Sequence, residues 1–434
     1  FNLSVLKEGI PDDAYTAVTS DDKAVAKGIK TQNKREREHR QLGEFDVAMG
    51  ILTKSRQHVN SIADDSPEDI RRKKELFSAF QQEGTAWCKD KTACDLWTAA
   101  FFVGLTKEHQ KNQIIPTTNT IREYLAEGVK ADHPQVKNAR GLANKYRFFH
   151  WPLEFPEVFG KGGFDCILGN PPWETIEFKE KEFFSTRNIE ISNAPNGAAR
   201  KRLIQKLESL NYPLFFEYQT SLSAILKINH FIQNNGRFAY TTRGKINTYS
   251  LFAELYLNLI SSYGRSGLIC PPGIASDETN KIFFENIMKN YQIVSLFAFI
   301  NENFIFQGVL HNFRFCLLTM AGASIKHGYP DFVHECEAVS ELKDRARHFS
   351  LTMNEVMLLN PNTLTAPVFR TNRDAEMTKK IYQRVPVLNN KLQGKTGNLW
   401  EISFKQGLFN MTSDSHLFCT HEQMETEGFT LIGN

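Results

Sequence analysis

Between residues 164 and 320, short apolar runs alternate with stretches of helical spacing, and that alternation restricts the chain to an α/β sheet. Segments 164–168, 267–270, 293–299 and 313–320 read as strands, each a run of large or branched side chains. Segments 214–232, 249–260 and 280–290 carry the apolar spacing of helices between them. The expected class is α/β, a partial Rossmann-like sheet with helices on both faces.

Two further regions flank this core. Residues 1–148 read as helical. Ser20-Asp21-Asp22 is a candidate N-cap, and Ser66-Pro67-Glu68-Asp69 is a stronger one, with a cap, Pro at the first helical position and acids behind it. Ile70, Leu76, Phe77 and Phe80 then share a face, and Leu96, Trp97, Phe101 and Phe102 form a stripe in a helix predicted over 87–104. Helices are also predicted over 120–129 and 134–148. The mixed-sign run from Lys34 to Arg40 reads as a solvated helix face. Segment 148–159 holds two prolines among large apolar groups and reads as an extended connector. Residues 149–330 form the second region. Residues 331–434 are turn-rich, with one helix predicted over 374–384 from Met377, Ile381 and Tyr382.

Seven scattered cysteines, an odd number with no Cys-x-x-Cys pair, argue against a disulfide framework and a zinc site, and for a reducing, cytoplasmic setting. No apolar run approaches the roughly 18 residues of a membrane helix, so no membrane association is expected. A net charge of +3 permits nucleic-acid binding without arguing for it. The chain opens on Phe1 and closes at Gly433-Asn434, and it reads as part of a longer protein.

The chemistry concentrates in Phe164-Asp165-Cys166-Ile167-Leu168-Gly169-Asn170-Pro171-Pro172-Trp173. Ligands of open α/β sheets bind outside the carboxyl ends of strands, where this turn falls. The prolines fix φ and remove backbone donors, leaving carbonyls that only accept. Asn170 adds a side-chain acceptor. Two acceptors suit an exocyclic amine, which has two N–H donors and a poor lone pair. Trp173 offers a flat face for a heterocycle.

Asn-Pro-Pro-aromatic after a strand resembles the catalytic motif of amino-group methyltransferases. The longer stretch from Phe148 to Trp173 resembles the TaqI-like, gamma-class N6-adenine DNA methyltransferases of restriction–modification and phage-defence systems. The segments at Asn247-Thr248-Tyr249, Gly267 to Pro271, Pro367 to Arg370 and Met411 to Phe418 extend that likeness along the chain. The resemblance implies methyl transfer from S-adenosylmethionine to an adenine flipped out of double-stranded DNA. Carried onto this sequence, the Asn170 side chain and Pro171 carbonyl accept from the amine, Pro172 stiffens the turn, and Trp173 stacks on the base. A second stacking aromatic is expected at Phe306, with Phe304 behind it. Residues 1–148 become a helical insertion, 149–330 the catalytic half, and 331–434 the start of a target-recognition region. Restriction or defence-complex subunits are the implied partners.

The family's Gly-rich cofactor turn has no counterpart before residue 164, so the main S-adenosylmethionine motif is expected upstream of this chain, and the chain alone is expected to be inactive. Arg370 and Arg373 are candidate DNA contacts, with a surface ion pair as the plainer reading. His150 reads as a packed polar residue. Ser413-Asp414-Ser415-His416 lacks a nucleophile elbow. No metal site is expected. Two other readings stay open: an amino-group methyltransferase acting on RNA or protein glutamine, and a non-catalytic DNA-binding or assembly module.

Overall fold

The computed structural model describes residues 5–19, 21–38, 49–126, 130–403, 407, 409 and 414–430. Ser20, Val129 and Met411 to Ser413, which figure in the sequence reading, lie outside them.

The N-terminal part is a helical layer: α1 (Lys23–Glu38), α2 (Pro67–Phe80), α3 (Ala86–Ala99), α4 (Thr118–Leu125) and α5 (Pro134–Tyr146). Local capping sets where these helices start. Asp22 Oδ1 accepts from the N–H groups of Ala24 and Val25, while Ser66 accepts from Asp69 N ahead of Pro67. Leu96, Trp97, Phe101 and Phe102 are all buried, as their spacing predicts. The helix carrying the first two stops at Ala99, short of the predicted 104. The chain then turns, with Phe102 N and Val103 N both donating to Ala99 O, and the buried ammonium of Lys227 donates to Phe102 O and Val103 O at 3.3 and 2.9 Å.

Segment 148–159 corrects the sequence reading. It is not extended but makes two one-turn helices, Trp151–Glu154 and Pro156–Phe159, each with its proline in the first turn, where a missing N–H costs nothing. Their aromatic rings meet Phe164 edge-on, with Trp151, Phe155 and Phe159 at centroid distances of 5.9, 5.4 and 5.8 Å. The connector therefore delivers the chain into the first strand through a ring cluster.

That strand is β1 (Phe164–Gly169). Helices α6 (Gly197–Leu210), α7 (Tyr212–Asn234) and α8 (Thr248–Leu259) follow, then β2 (Ile260–Cys270), α9 (Lys281–Lys289), β3 (Ile293–Ile300), β4 (Arg314–Ala321) and β5 (Asp331–Cys336). After the sheet come α10 (Met353–Leu359) and α11 (Asn372–Arg384), and a short helix, His421–Thr426, follows. The five strands form one mixed sheet, ordered β1-β2-β4-β3-β5. β1 with β2 and β3 with β5 are parallel, and β4 runs antiparallel to both its neighbours. Thus β5 completes the sheet beyond the expected boundary at 330, and the core continues through Leu351, Val356 and Ala375. Residues 331–375 belong to the sheet layer.

Alternation along the strands separates two faces. Leu268, Leu296, Leu318 and Phe332 pack against Ala253 of α8 and Phe283, Phe284 and Ile287 of α9. The opposite face carries a smaller cluster of Phe299, Phe315, Val333 and Cys336, with Trp173 and Phe306 on its border. No residue of α1–α11 belongs to that cluster, so the expected helices on both faces are found on one face among the described residues. No helix among the described residues is long and apolar enough to cross a membrane.

Candidate active site

β1 is an edge strand, and the turn Asn170-Pro171-Pro172-Trp173 leaves its carboxyl end. Gly169 brings the strand close to α8: a Cβ there would fall well inside contact distance of the Tyr256 hydroxyl. Pro171 is buried, Trp173 is half-buried, and Asn170 and Pro172 are exposed. The buried proline anchors the turn while its neighbours face outward.

A second loop holds the turn in place. Thr175 and Asn247 form an antiparallel bridge, and Ile176 N donates to Ile246 O at 3.0 Å. The Thr248 hydroxyl donates to Pro172 O at 2.6 Å and accepts from Glu174 N at 2.9 Å. Thr248 N in turn donates to Glu174 O at 2.9 Å. The loop itself is anchored from α8: the fully buried Glu254 carboxylate accepts from the N–H groups of Ala239, Tyr240 and Thr241 and from the Thr241 hydroxyl. Burial holds the Glu254 carboxyl above its ordinary range, and its four donors only partly offset that rise.

The pattern of acceptors is uneven. Pro172 O is taken by Thr248, whereas no described residue donates to the Asn170 side chain or to Pro171 O. Two neighbouring acceptors are left open at the end of the sheet, and they are the pair expected to receive an amine.

Trp173 stacks nearly parallel on Phe313, with centroids 5.5 Å apart and planes at 8°. The sequence gives no local sign of this partner, because Phe313 reads as the start of a strand. It stands instead at the foot of the hairpin between β3 and β4. Phe306, the expected stacking residue, packs edge-on against Phe315 at 4.9 Å and has no ring contact with Trp173. Phe304 is exposed, with a left-handed φ of 49°. Buried Asn301 organises the hairpin tip: its side chain accepts from Phe306 N and donates to the carbonyls of Phe306, Val309 and Leu310.

The other candidates lie elsewhere. Arg370 is paired with Glu335 at 2.5 Å, and Glu335 also faces Arg314 at 3.8 Å. The Arg370 guanidinium holds the Glu335 carboxyl below its ordinary range. Arg373 is exposed on α11 and has no ion pair with any described residue. His150 is buried and bonded to Asp95 at 2.8 Å, and burial lowers its pKa. Among the described residues, no group of His, Cys, Asp or Glu side chains could hold a metal.

The described residues do not fit S-adenosylmethionine unaided. The two strands that run parallel into this end of the sheet, β1 and β2, lead into Asn170-Pro171-Pro172 and Pro271-Pro272, not into a Gly-rich strand-to-helix turn. Among the described residues no strand pairs with the outer edge of β1, and Leu168 on it is 78% exposed. The feature the described residues do supply here is the pair of unpaired acceptors on the turn.

Residues 85–224 match the family model of the Eco57I restriction-modification methylase. The match starts at the N-terminus of α3, so it takes in part of the segment read as an insertion, and it contains β1 and the whole turn. No curated protein matches the chain. The match supports a DNA methyltransferase of a restriction–modification system.

Proposed function

We propose that this chain is the base-holding part of a site-specific N6-adenine DNA methyltransferase of the TaqI-like, gamma class, serving restriction–modification or phage defence. The observation that carries the reading is the pair of open acceptors, Asn170 Oδ1 and Pro171 O, on a turn whose next carbonyl is already bonded. An adenine N6 amine has two N–H groups, one for each acceptor. Its lone pair is delocalised into the ring, and two acceptors drawing on its protons raise the electron density on nitrogen. The target must leave the duplex to reach this turn. Trp173 then stacks on the flipped base. Phe313 covers one face of Trp173, so the base takes the other, and Trp173 and Phe306 border one cluster with no ring contact between them.

S-adenosylmethionine, when bound, supplies the methyl group. Its main binding elements are proposed to cover the open edge of β1, so this chain alone neither holds the cofactor tightly nor turns over. Arg373 is the readier phosphate contact, since Arg370 must first give up Glu335.

The test is nucleoside mass spectrometry of duplex DNA incubated with the full-length protein and methyl-labelled S-adenosylmethionine. Label in N6-methyladenine is expected. Label in cytosine, RNA or protein glutamine instead would overturn the reading.

A further inference from the structure

We infer that Thr248 is a positioning residue for the reaction: its hydroxyl clamps the catalytic turn and sets the direction of the Pro171 and Asn170 acceptors. The inference rests on the methyltransferase reading for its catalytic consequence, but not for the clamp itself.

The argument starts from the prolines. Pro171 and Pro172 have no N–H, so the turn cannot tie itself down through its own backbone donors at those positions. Some outside group must fix the peptide planes on either side of Trp173. Thr248 reaches both. It donates to the carbonyl before Trp173, Pro172 O at 2.6 Å, and accepts from the amide after it, Glu174 N at 2.9 Å. Its own backbone N–H completes the lock on Glu174 O at 2.9 Å. One hydroxyl thus brackets the tryptophan and occupies the one carbonyl of the pair of prolines that the amine does not need.

Thr248 also has a firm base. It is the first residue of α8, its neighbour Asn247 caps that helix, and Glu254 one turn and a half further on anchors the preceding loop. The sheet-packed helix therefore dictates where the turn sits. Orientation errors of about an ångström at such a position cost about a hundredfold in rate.

Thr248→Val keeps the shape and removes the hydroxyl, and Thr248→Ser keeps the hydroxyl. Two measurements are made on the full-length protein. The first is hydrogen exchange at the Glu174 amide, which needs no activity. Loss of one hydrogen bond corresponds to about tenfold faster exchange in Thr248→Val, with Thr248→Ser close to wild type. The second is single-turnover methyl transfer together with DNA affinity. The valine variant is expected to lose about 10- to 100-fold in rate at unchanged DNA Kd, with serine restoring most of it.

Unchanged Glu174 exchange in Thr248→Val overturns the clamp. Faster exchange with an unchanged rate overturns its role in positioning, as does a serine variant no better than valine. If the wild type itself transfers no methyl group to adenine while the exchange result holds, the clamp stands and the methyltransferase reading falls.

Discussion

Gly169→Ala probes the contact between the strand end that carries the Asn170–Trp173 turn and α8 most sharply. A methyl group on residue 169 collides with the Tyr256 hydroxyl, and the next atom of that ring, Cζ, lies 3.2 Å from the same point. The hydroxyl bonds to nothing among the described residues, so Tyr256→Phe removes the obstacle at little cost of its own. Overpacking of this kind costs about 1–3 kcal/mol when the neighbours are held, and Tyr256 packs against the main core. Gly169→Ala alone is therefore expected to lose about 2 kcal/mol, and Tyr256→Phe well under 1 kcal/mol. The double variant should recover at least about 1 kcal/mol, because only a 3.2 Å contact remains to be relieved. Denaturant midpoints at constant slope give the four corners of the cycle. Methyl transfer by the full-length protein should fall in Gly169→Ala and return in the double variant, since Asn170 directly follows the displaced residue. Strict additivity of the two changes would refute the contact as the origin of the effect.

Two further outcomes follow from groups around the site and sheet. Glu254→Ala strands three backbone N–H groups and a hydroxyl, and at about 1 kcal/mol or more for each orphaned donor should cost roughly 3 kcal/mol or more. Trypsin should then cut faster at exposed Arg243 and Lys245, and an unchanged digestion rate would count against the anchor. His334 is buried in β5 beside Phe332 and Phe349, and burial lowers its pKa from 6.5 to about 4. The unfolded chain binds the proton more readily, so this contribution is intact above about pH 6.5 and is lost as pH falls toward 4. The shift corresponds to roughly 3 kcal/mol, and His334→Phe should flatten that part of a stability–pH curve. A curve of the same slope in the variant would assign the effect to other groups.

The parts of this molecule that were readable in its sequence are those set by local chemistry. Ser66 with Pro67 announces α2, and the apolar runs at 293–299 and 313–320 fall within a residue or so of β3 and β4. The Thr352-x-x-Glu355 capping box is a signal of the same kind and begins α10. β5 gives no such signal, because Phe332-Val333-His334-Glu335-Cys336 puts a histidine and a glutamate among its apolar residues. Only the fold shows His334 buried beside the rings of Phe332 and Phe349 and Glu335 turned toward Arg314 and Arg370. The polar first half of β2 is likewise a strand through distant partners: Ile260 pairs with Phe164, and Ser262 O and Gly264 O accept from Ser324 N and Gly322 N. At the site, Asn170 to Trp173 stand out as a motif, but what holds them does not. Thr248 lies 76 residues away from Pro172, and Phe313 lies at the foot of a distant hairpin. Neither spacing nor composition marks such tertiary partners.

The account stands or falls with Asn170. In the full-length protein, single-turnover methylation of a duplex adenine by Asn170→Ala, measured beside DNA affinity, tests it most directly. The side chain is exposed and makes no bond to any described residue, so its removal should leave folding and DNA Kd unchanged. The methylation rate should fall by at least about a hundredfold, the scale seen when one preorganised polar group is removed from a reacting centre. A variant that methylates adenine at the wild-type rate would contradict the proposed grip on the amine.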